Sequence, residues 1–177
     1  IFDNILGYED RSGSPPRDGS YGAGIYLIRT YQSRIRNNII RYWRSGAIVM
    51  DGNYSINFSK NSTYCNVKRA IQIENWHLLS PPQRKQPYAY INRIDPFRNL
   101  VSGTSLPDNT IELFYSESCP TCEGRTWFAT VQSDAEENWT YNRPLRSDSV
   151  IATATEIFFS TSEYSMPKID RASAVIS

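Results

Sequence analysis

The chain is poor in the residues that most enzymes rely on. In 177 residues it has one histidine, three cysteines and two methionines. A lone His77 excludes a multi-histidine metal site within the chain. A Ser-His-Asp arrangement would have to use that same residue, and no Gly-x-Ser-x-Gly turn is present to carry the serine. Beside Trp76 and Leu78, His77 reads as a packed or edge-facing side chain. There is no Gly-x-x-x-x-Gly-Lys cradle, and two glycines before the apolar run at Ile25 do not make a nucleotide site. No apolar run approaches the roughly 20 residues a membrane-spanning helix needs, so insertion in a bilayer is not expected. Net charge is only +1, which leaves no global field to attract nucleic acid or an acidic surface.

What the chain does have is aromatic area. Four Trp, twelve Tyr and seven Phe, with 40% apolar and 21% charged residues, suit a folded chain with a sizeable core. At this length one domain is the natural expectation. Fifteen of the nineteen basic residues are Arg. Arg29, Arg34, Arg36, Arg41 and Arg44 lie close together in sequence, with Trp43 among them. Arg suits planar contacts with carboxylates, phosphates and packed interfaces, whereas a simple solvated face would also account for the cluster.

Residues 9–23 are dominated by Gly, Pro, Ser and Asp and read as an irregular arm. This divides the chain into an N-terminal arm, 1–23, and a β-rich domain, 24–177. A four-residue recurrence of Tyr31, Ile35, Ile39 and Trp43, with Gly46 as a stop, predicts one short helix near residues 30–44. From Ala47 onward the period is mostly two. Asp51-Gly52 between apolar runs predicts a hairpin, with Tyr54, Ile56 and Phe58 on one face of its second strand. Further strands are predicted at 70–78, 88–94, 110–115, 126–131 and 150–159. In the third of these, Ile111, Leu113 and Tyr115 alternate with Glu112 and Phe114, as in a strand covered mainly on one face. No internal repeat stands out. The expected fold is mainly β, an antiparallel β-sandwich or jelly-roll-like domain with that one helix.

The three cysteines allow several chemistries. Cys65 could pair with Cys119 or Cys122, all three could stay reduced, or all three with His77 could form a Cys₃His zinc site. The run Thr110-Ile-Glu-Leu-Phe-Tyr-Ser-Glu-Ser-Cys-Pro-Thr-Cys resembles the strand and active-site turn of thioredoxin- and glutaredoxin-like proteins. The resemblance implies a thiol–disulfide oxidoreductase in which Cys119 attacks and Cys122 resolves, the first at a helix N-terminus that lowers its pKa. The likeness covers thirteen residues, and Gly124-Arg-Thr-Trp-Phe-Ala-Thr-Val reads as a strand where that family has a helix.

Four Asn-x-Ser/Thr sequons, at Asn53, Asn57, Asn61 and Asn138, are candidates for N-glycosylation. Acidic residues are scattered, and nothing specifies a paired-carboxylate hydrolase.

The chain opens Ile-Phe-Asp without Met, which fits a product processed from a longer precursor or an excised fragment. These features favour a non-enzymatic structural or recognition module, a subunit of an extracellular, cell-surface or viral-coat-type assembly. It would act through contacts with other protein chains or with glycans, and no cofactor is expected. Residues 41–49, Arg-Tyr-Trp-Arg-Ser-Gly-Ala-Ile-Val, resemble jelly-roll strands of picorna-like capsid proteins. Two alternatives stand beside this reading: the oxidoreductase above, and an RNA or polyanion binder using the 29–44 arginines with Tyr31, Tyr42 and Trp43 as stacking partners.

Overall fold

Twenty-three residues is the interval that organises the first half of the chain. The computed structural model describes residues 1–7, 22–28, 30, 32–46, 48–51, 56–74, 88–116, 124–156 and 161–165. None of these is helical, and the protein is mainly β, built from several sheets. Strands β1 (Ile5–Leu6), β4 (Ile39–Arg41) and β7 (Ser62–Tyr64) form one parallel sheet. Strands β2 (Ile25–Ile28), β5 (Ile48–Asp51) and β8 (Ile71–Glu74) form a second, and β3 (Arg34–Arg36) pairs in parallel with β6 (Asn57–Ser59) in a third. Arg34 aligns with Asn57, Ile39 with Ser62, and Ile48 with Ile71, each 23 residues on. Successive turns of chain therefore stack as coils of a parallel β-solenoid, each contributing a strand to every sheet except that the first coil meets β3 only through the Phe2–Arg36 bridge.

A corner device repeats with the coils. Asp3, Asn37 and Lys60 occupy equivalent corners, and all three adopt the left-handed conformation, with φ of 54°, 56° and 52°. The next residue is Asn each time. Asn4 N–H donates to Asn38 Oδ1 at 3.0 Å, and Asn38 N–H donates to Asn61 Oδ1 at 2.9 Å. Asn61 Nδ2 donates back to the carbonyls of Ile35 and Ser59, at 2.8 and 2.9 Å. One amide side chain per coil thus satisfies backbone groups that the corner takes out of the sheets. A second, shorter ladder forms one corner later, where Trp43 N–H donates to Asn66 Oδ1 at 3.0 Å. Between the corners, inward residues stack coil on coil: Ile35 on Phe58, and Ile40 on Thr63, all buried.

Several expectations are corrected here. The segment 30–44 contains β3 and β4, not a helix. Its four-residue recurrence arises because two short strands meet at the Asn37-Asn38 corner, and the inward pair is Ile35 and Ile40 rather than Ile35 and Ile39. The Asp51-Gly52 hairpin is overturned as well: β5 lies between β2 and β8, while β6 pairs with β3 in another sheet. Gly52 itself lies outside the described residues. A repeat is present after all, although residues 34–51 and 57–74 share only Asn38/Asn61, Ala47/Ala70 and Ile48/Ile71 as identities. The first coil is longer than the others: Ile5 to Ile25 spans 20 residues where Ile39 to Ile48 spans 9. The extra length falls in the Gly/Pro-rich segment read as an arm, most of which lies outside the described residues.

The second half is antiparallel. Strands β9 (Tyr90–Asp95), β10 (Leu100–Thr104) and β13 (Asn138–Asn142) form one sheet. Strands β11 (Thr110–Ser116), β12 (Gly124–Gln132) and β14 (Val150–Thr155) form the other, with β11 central. The strands expected at 88–94, 110–115 and 126–131 match β9, β11 and β12 in place, and the one expected at 150–159 matches β14 over 150–155, with 157–159 outside the described residues. The one-faced character expected of 110–115 does not hold, because both faces of β11 are covered. Ile111 and Leu113 pack with Val101 and Trp139 in one cluster, and Phe114 joins Ile35, Ile40 and Phe58 in the other. The β12–β11–β14 sheet is thus a middle layer, plugging the end of the solenoid on one face and backing the β9–β10–β13 sheet on the other.

We expect Asn61→Ala to lower unfolding free energy by at least about 2 kcal/mol, since it strands several buried backbone groups at once. Urea denaturation measures it, and a loss within error of zero would remove the ladder from the account. Gly103→Ala tests the second half. A Cβ there would sit 1.9 Å from the Tyr90 carbonyl oxygen and 2.4 Å from Trp139 Cζ2. A loss of about 1–3 kcal/mol is expected in the same experiment.

Candidate functional site

A solenoid must end somewhere, and its last coil exposes backbone N–H groups that a further coil would have accepted. Here the middle sheet and the segment 161–165 meet them with side chains. Phe58 N–H donates to Thr161 Oγ1 at 3.0 Å, Lys60 N–H to Glu112 Oε2 at 2.8 Å, and Ile73 N–H to Glu163 Oε1 at 2.9 Å. The Ser59 hydroxyl donates to Glu112 Oε1 at 2.6 Å, and the Tyr88 hydroxyl donates to Glu163 Oε2. Glu112 and Glu163 are both buried, yet each is held by several donors, as a buried carboxylate requires. Burial pushes the Glu112 carboxyl above its ordinary range, opposed by the hydrogen bonds from Ser59 and Lys60.

The plugging face of the middle sheet is split in two. Phe114, aligned with Trp127 on β12 and Ile151 on β14, forms an apolar row that closes the solenoid interior. The next rows are polar: Thr130, Glu112 and Thr153, then Gln132, Thr110 and Thr155. Where these rows pass the edge of the last coil, the two halves leave an open groove of 780 Å³. Arg36, Asn57, Ser59 and Lys60 line its solenoid wall; Asp108, Thr110, Glu112, Thr130, Gln132, Thr155 and Glu156 line the sheet wall. Lys60 Nζ lies 4.3 Å from the centre of the Trp127 ring, a cation–π contact that steadies the base beside the groove.

Chemically this is a hydrogen-bonding surface. Hydroxyls, side-chain amides, carboxylates and two cations converge, and among the described residues no aliphatic or aromatic side chain lines the groove. Both Glu112 oxygens are engaged in holding the β6–β7 corner, which makes it a cap of the last coil. Among the described residues no group of three or more His, Cys, Asp and Glu could hold a metal ion.

The residues singled out from sequence are scattered. Arg34 and Arg36 point outward from β3, and of these only Arg36 reaches the groove. Arg41 lies over the rings of Tyr42 and Tyr64, and Arg125 lies 4.6 Å from the Tyr64 ring centre, so the arginines do not form one face. Arg44 is exposed in the turn after β4, and Trp43 is half-buried against the solenoid core. Cys65 is half-buried just after β7 with φ 54°, at the corner equivalent to Tyr42. Cys119, Cys122, His77, Arg29, Tyr31 and Asn53 lie outside the described residues.

The sequons divide sharply. Asn61 is fully buried in the ladder with its Nδ2 donating twice, so a glycan there is incompatible with this fold. Asn57 is half-buried on the groove wall, and Asn138 is exposed at the start of β13.

Of the groove residues, sequence reasoning reached only Arg36 and Asn57, and for other roles. The available signal was Phe114 next to Glu112: a large apolar residue on the supposed solvent face marks a strand covered on both sides. No protein-family model matches the chain, and no curated protein matches it.

Glu112 yields a signed pH prediction. Its raised folded value means the folded state keeps a proton where the unfolded chain has lost it. That term therefore reduces stability as pH rises from the ordinary carboxylate range through the raised value. Glu112→Gln keeps an acceptor for Lys60 N–H and removes the buried charge. We expect it to gain on the wild type as pH rises above the ordinary carboxylate range in urea denaturation. Glu112→Ala leaves both donors unanswered and should cost about 1–3 kcal/mol. A wild type that gains on Glu112→Gln with rising pH would contradict the burial of the charge.

Proposed function

We propose that this chain is a non-enzymatic recognition module, a capped β-solenoid that binds a glycan in the groove between its two halves. The carrying observation is that every described residue lining that groove carries a polar side chain. Ligand pockets are as a rule mostly apolar with a few polar anchors, and an apolar ligand here would strand hydroxyls, amides and charges without partners. A polyhydroxylated chain answers donors and acceptors alike, directly or through water. The open groove suits an extended ligand crossing it rather than a small molecule enclosed by it.

The same reading places the module in an extracellular or virion-surface assembly, working beside other protein chains. Two features support that setting. The exposed sequon at Asn138 can accept a glycan, and the molecule presents large apolar side chains on its exterior, including Phe97, Tyr90 and Tyr26. Among its described residues the groove has no cysteine or histidine, and both oxygens of Glu112 are engaged by Ser59 and Lys60, which favours recognition over turnover.

The test is a glycan array followed by calorimetric titration of the best hit. Gln132→Ala and Thr130→Ala, both on the sheet wall, should each weaken binding about tenfold, an effect of the order of one lost hydrogen bond. The melting temperature should change little. Absence of any glycan binding, or binding that both variants leave unchanged, would sink the assignment.

A further inference from the structure

The charges of the groove are sorted along its length. Arg36 is aligned with Ser59 on the next coil, and Lys60 follows Ser59, so the two cations of the groove come from adjoining positions. Both act on the charge of Glu112, and neither takes part in an ion pair among the described residues. Glu112 is a poor counterion for them. Burial disfavours its charged form, and its two oxygens are already engaged by the Ser59 hydroxyl and the Lys60 N–H. The other carboxylates stand further along the sheet wall. Asp108 precedes Glu112 by four residues, and Glu156 follows Thr153, the β14 partner of Glu112, by three. At about 3.3 Å per residue of strand, both lie on the order of 10 Å from Glu112. Exposed charges that far apart are largely screened, since the Debye length at physiological salt is roughly 8 Å. The Arg36 end is therefore a local positive site, even though two cations and the two far carboxylates balance over the whole groove.

We propose that this end of the groove is an anion subsite, and that the glycan it receives is acidic, with a uronate-type carboxylate on Arg36 and sugar hydroxyls on Thr130 and Gln132. The inference rests on the glycan reading and narrows it. An arginine suits this task by its shape. The planar guanidinium meets a carboxylate with two parallel N–H donations, an arrangement that a single sugar hydroxyl does not offer. Arg36 is exposed on β3 and makes its side chain part of the groove wall, so these donors are open to a ligand. Lys60, steadied over the Trp127 ring, adds a second positive charge that needs no fixed direction. A neutral glycan would leave both cations without a counterion in the groove. A glycan with an acid on every sugar would meet Asp108 and Glu156 further along, where like charges oppose it. The arrangement therefore selects an acidic sugar set among neutral ones.

The experiment probes the full chain with an array of matched oligosaccharide pairs, each acidic member beside the same molecule with its carboxylates methyl-esterified. Sulfated and neutral oligosaccharides are included, and the best pair is titrated by calorimetry. The wild type should bind the acidic member at least about tenfold more tightly than its ester. Arg36→Gln should cost about tenfold for the acidic member and bring the pair close to equal, while Arg36→Lys recovers part of the loss by keeping the charge without the fork. Arg98→Gln removes an exposed guanidinium outside the groove and should leave the preference intact. Equal binding of acid and ester by the wild type overturns this inference and leaves the glycan reading standing, whereas no binding to any member sinks both. That comparison needs no variant to fold. A preference for sulfated over all carboxylated members also overturns it, as does an acid preference that Arg98→Gln abolishes as fully as Arg36→Gln.

Discussion

The corner asparagine is the interaction on which the rest of the structure depends. A coil of 23 residues must turn between its strands, and each turn withdraws backbone donors and acceptors from the sheets. Asn4, Asn38 and Asn61 return partners to them one coil at a time, with a side chain that both donates and accepts. The left-handed residue before each Asn aims the amide along the stack. Asp and Asn tolerate that conformation better than most residues, and Lys60 adopts it where its N–H reaches Glu112. Register, coil length and the stacking of Ile35 on Phe58 all follow from keeping this column in line.

The middle sheet solves the opposite problem, that of stopping. A parallel edge left open is a template for more strands. Here β11 serves two cores at once, sending Phe114 into the solenoid and Ile111 and Leu113 into the far cluster. Glu112 lies between them on the solenoid side, and its burial is tolerated because Ser59 and Lys60 satisfy both oxygens. The groove is a by-product of that arrangement. Beyond the apolar row the sheet face turns polar, and the last coil does not extend over it.

In the proposed reading, binding and architecture are linked at Ser59 and Lys60. They belong to the corner that Glu112 caps, and they also line the groove. A ligand in the groove would touch the joint between the halves. Binding there would therefore favour the closed joint over any state in which the halves separate.

The sequence by itself determined what is local. Alternation placed β9, β11, β12 and β14, because in antiparallel strands the pattern of burial is written residue by residue. It also marked 9–23 as a Gly/Pro-rich stretch, but it read 1–23 as an arm apart from the domain, whereas Phe2, Ile5 and Leu6 pair with the next coil. Only the tertiary structure decided which strands are neighbours. The solenoid repeat keeps its geometry with three identities in eighteen positions, since a coil asks for an apolar column and a corner amide rather than particular residues elsewhere. Strands of three residues carry too little period to be told from a helical recurrence, which is how Ile35, Ile39 and Trp43 mimic a helix face. The groove stayed hidden for the same reason: Arg36, Lys60, Glu112 and Gln132 come from separate strands and corners. Their convergence is a fact of stacking, which no local stretch of sequence contains.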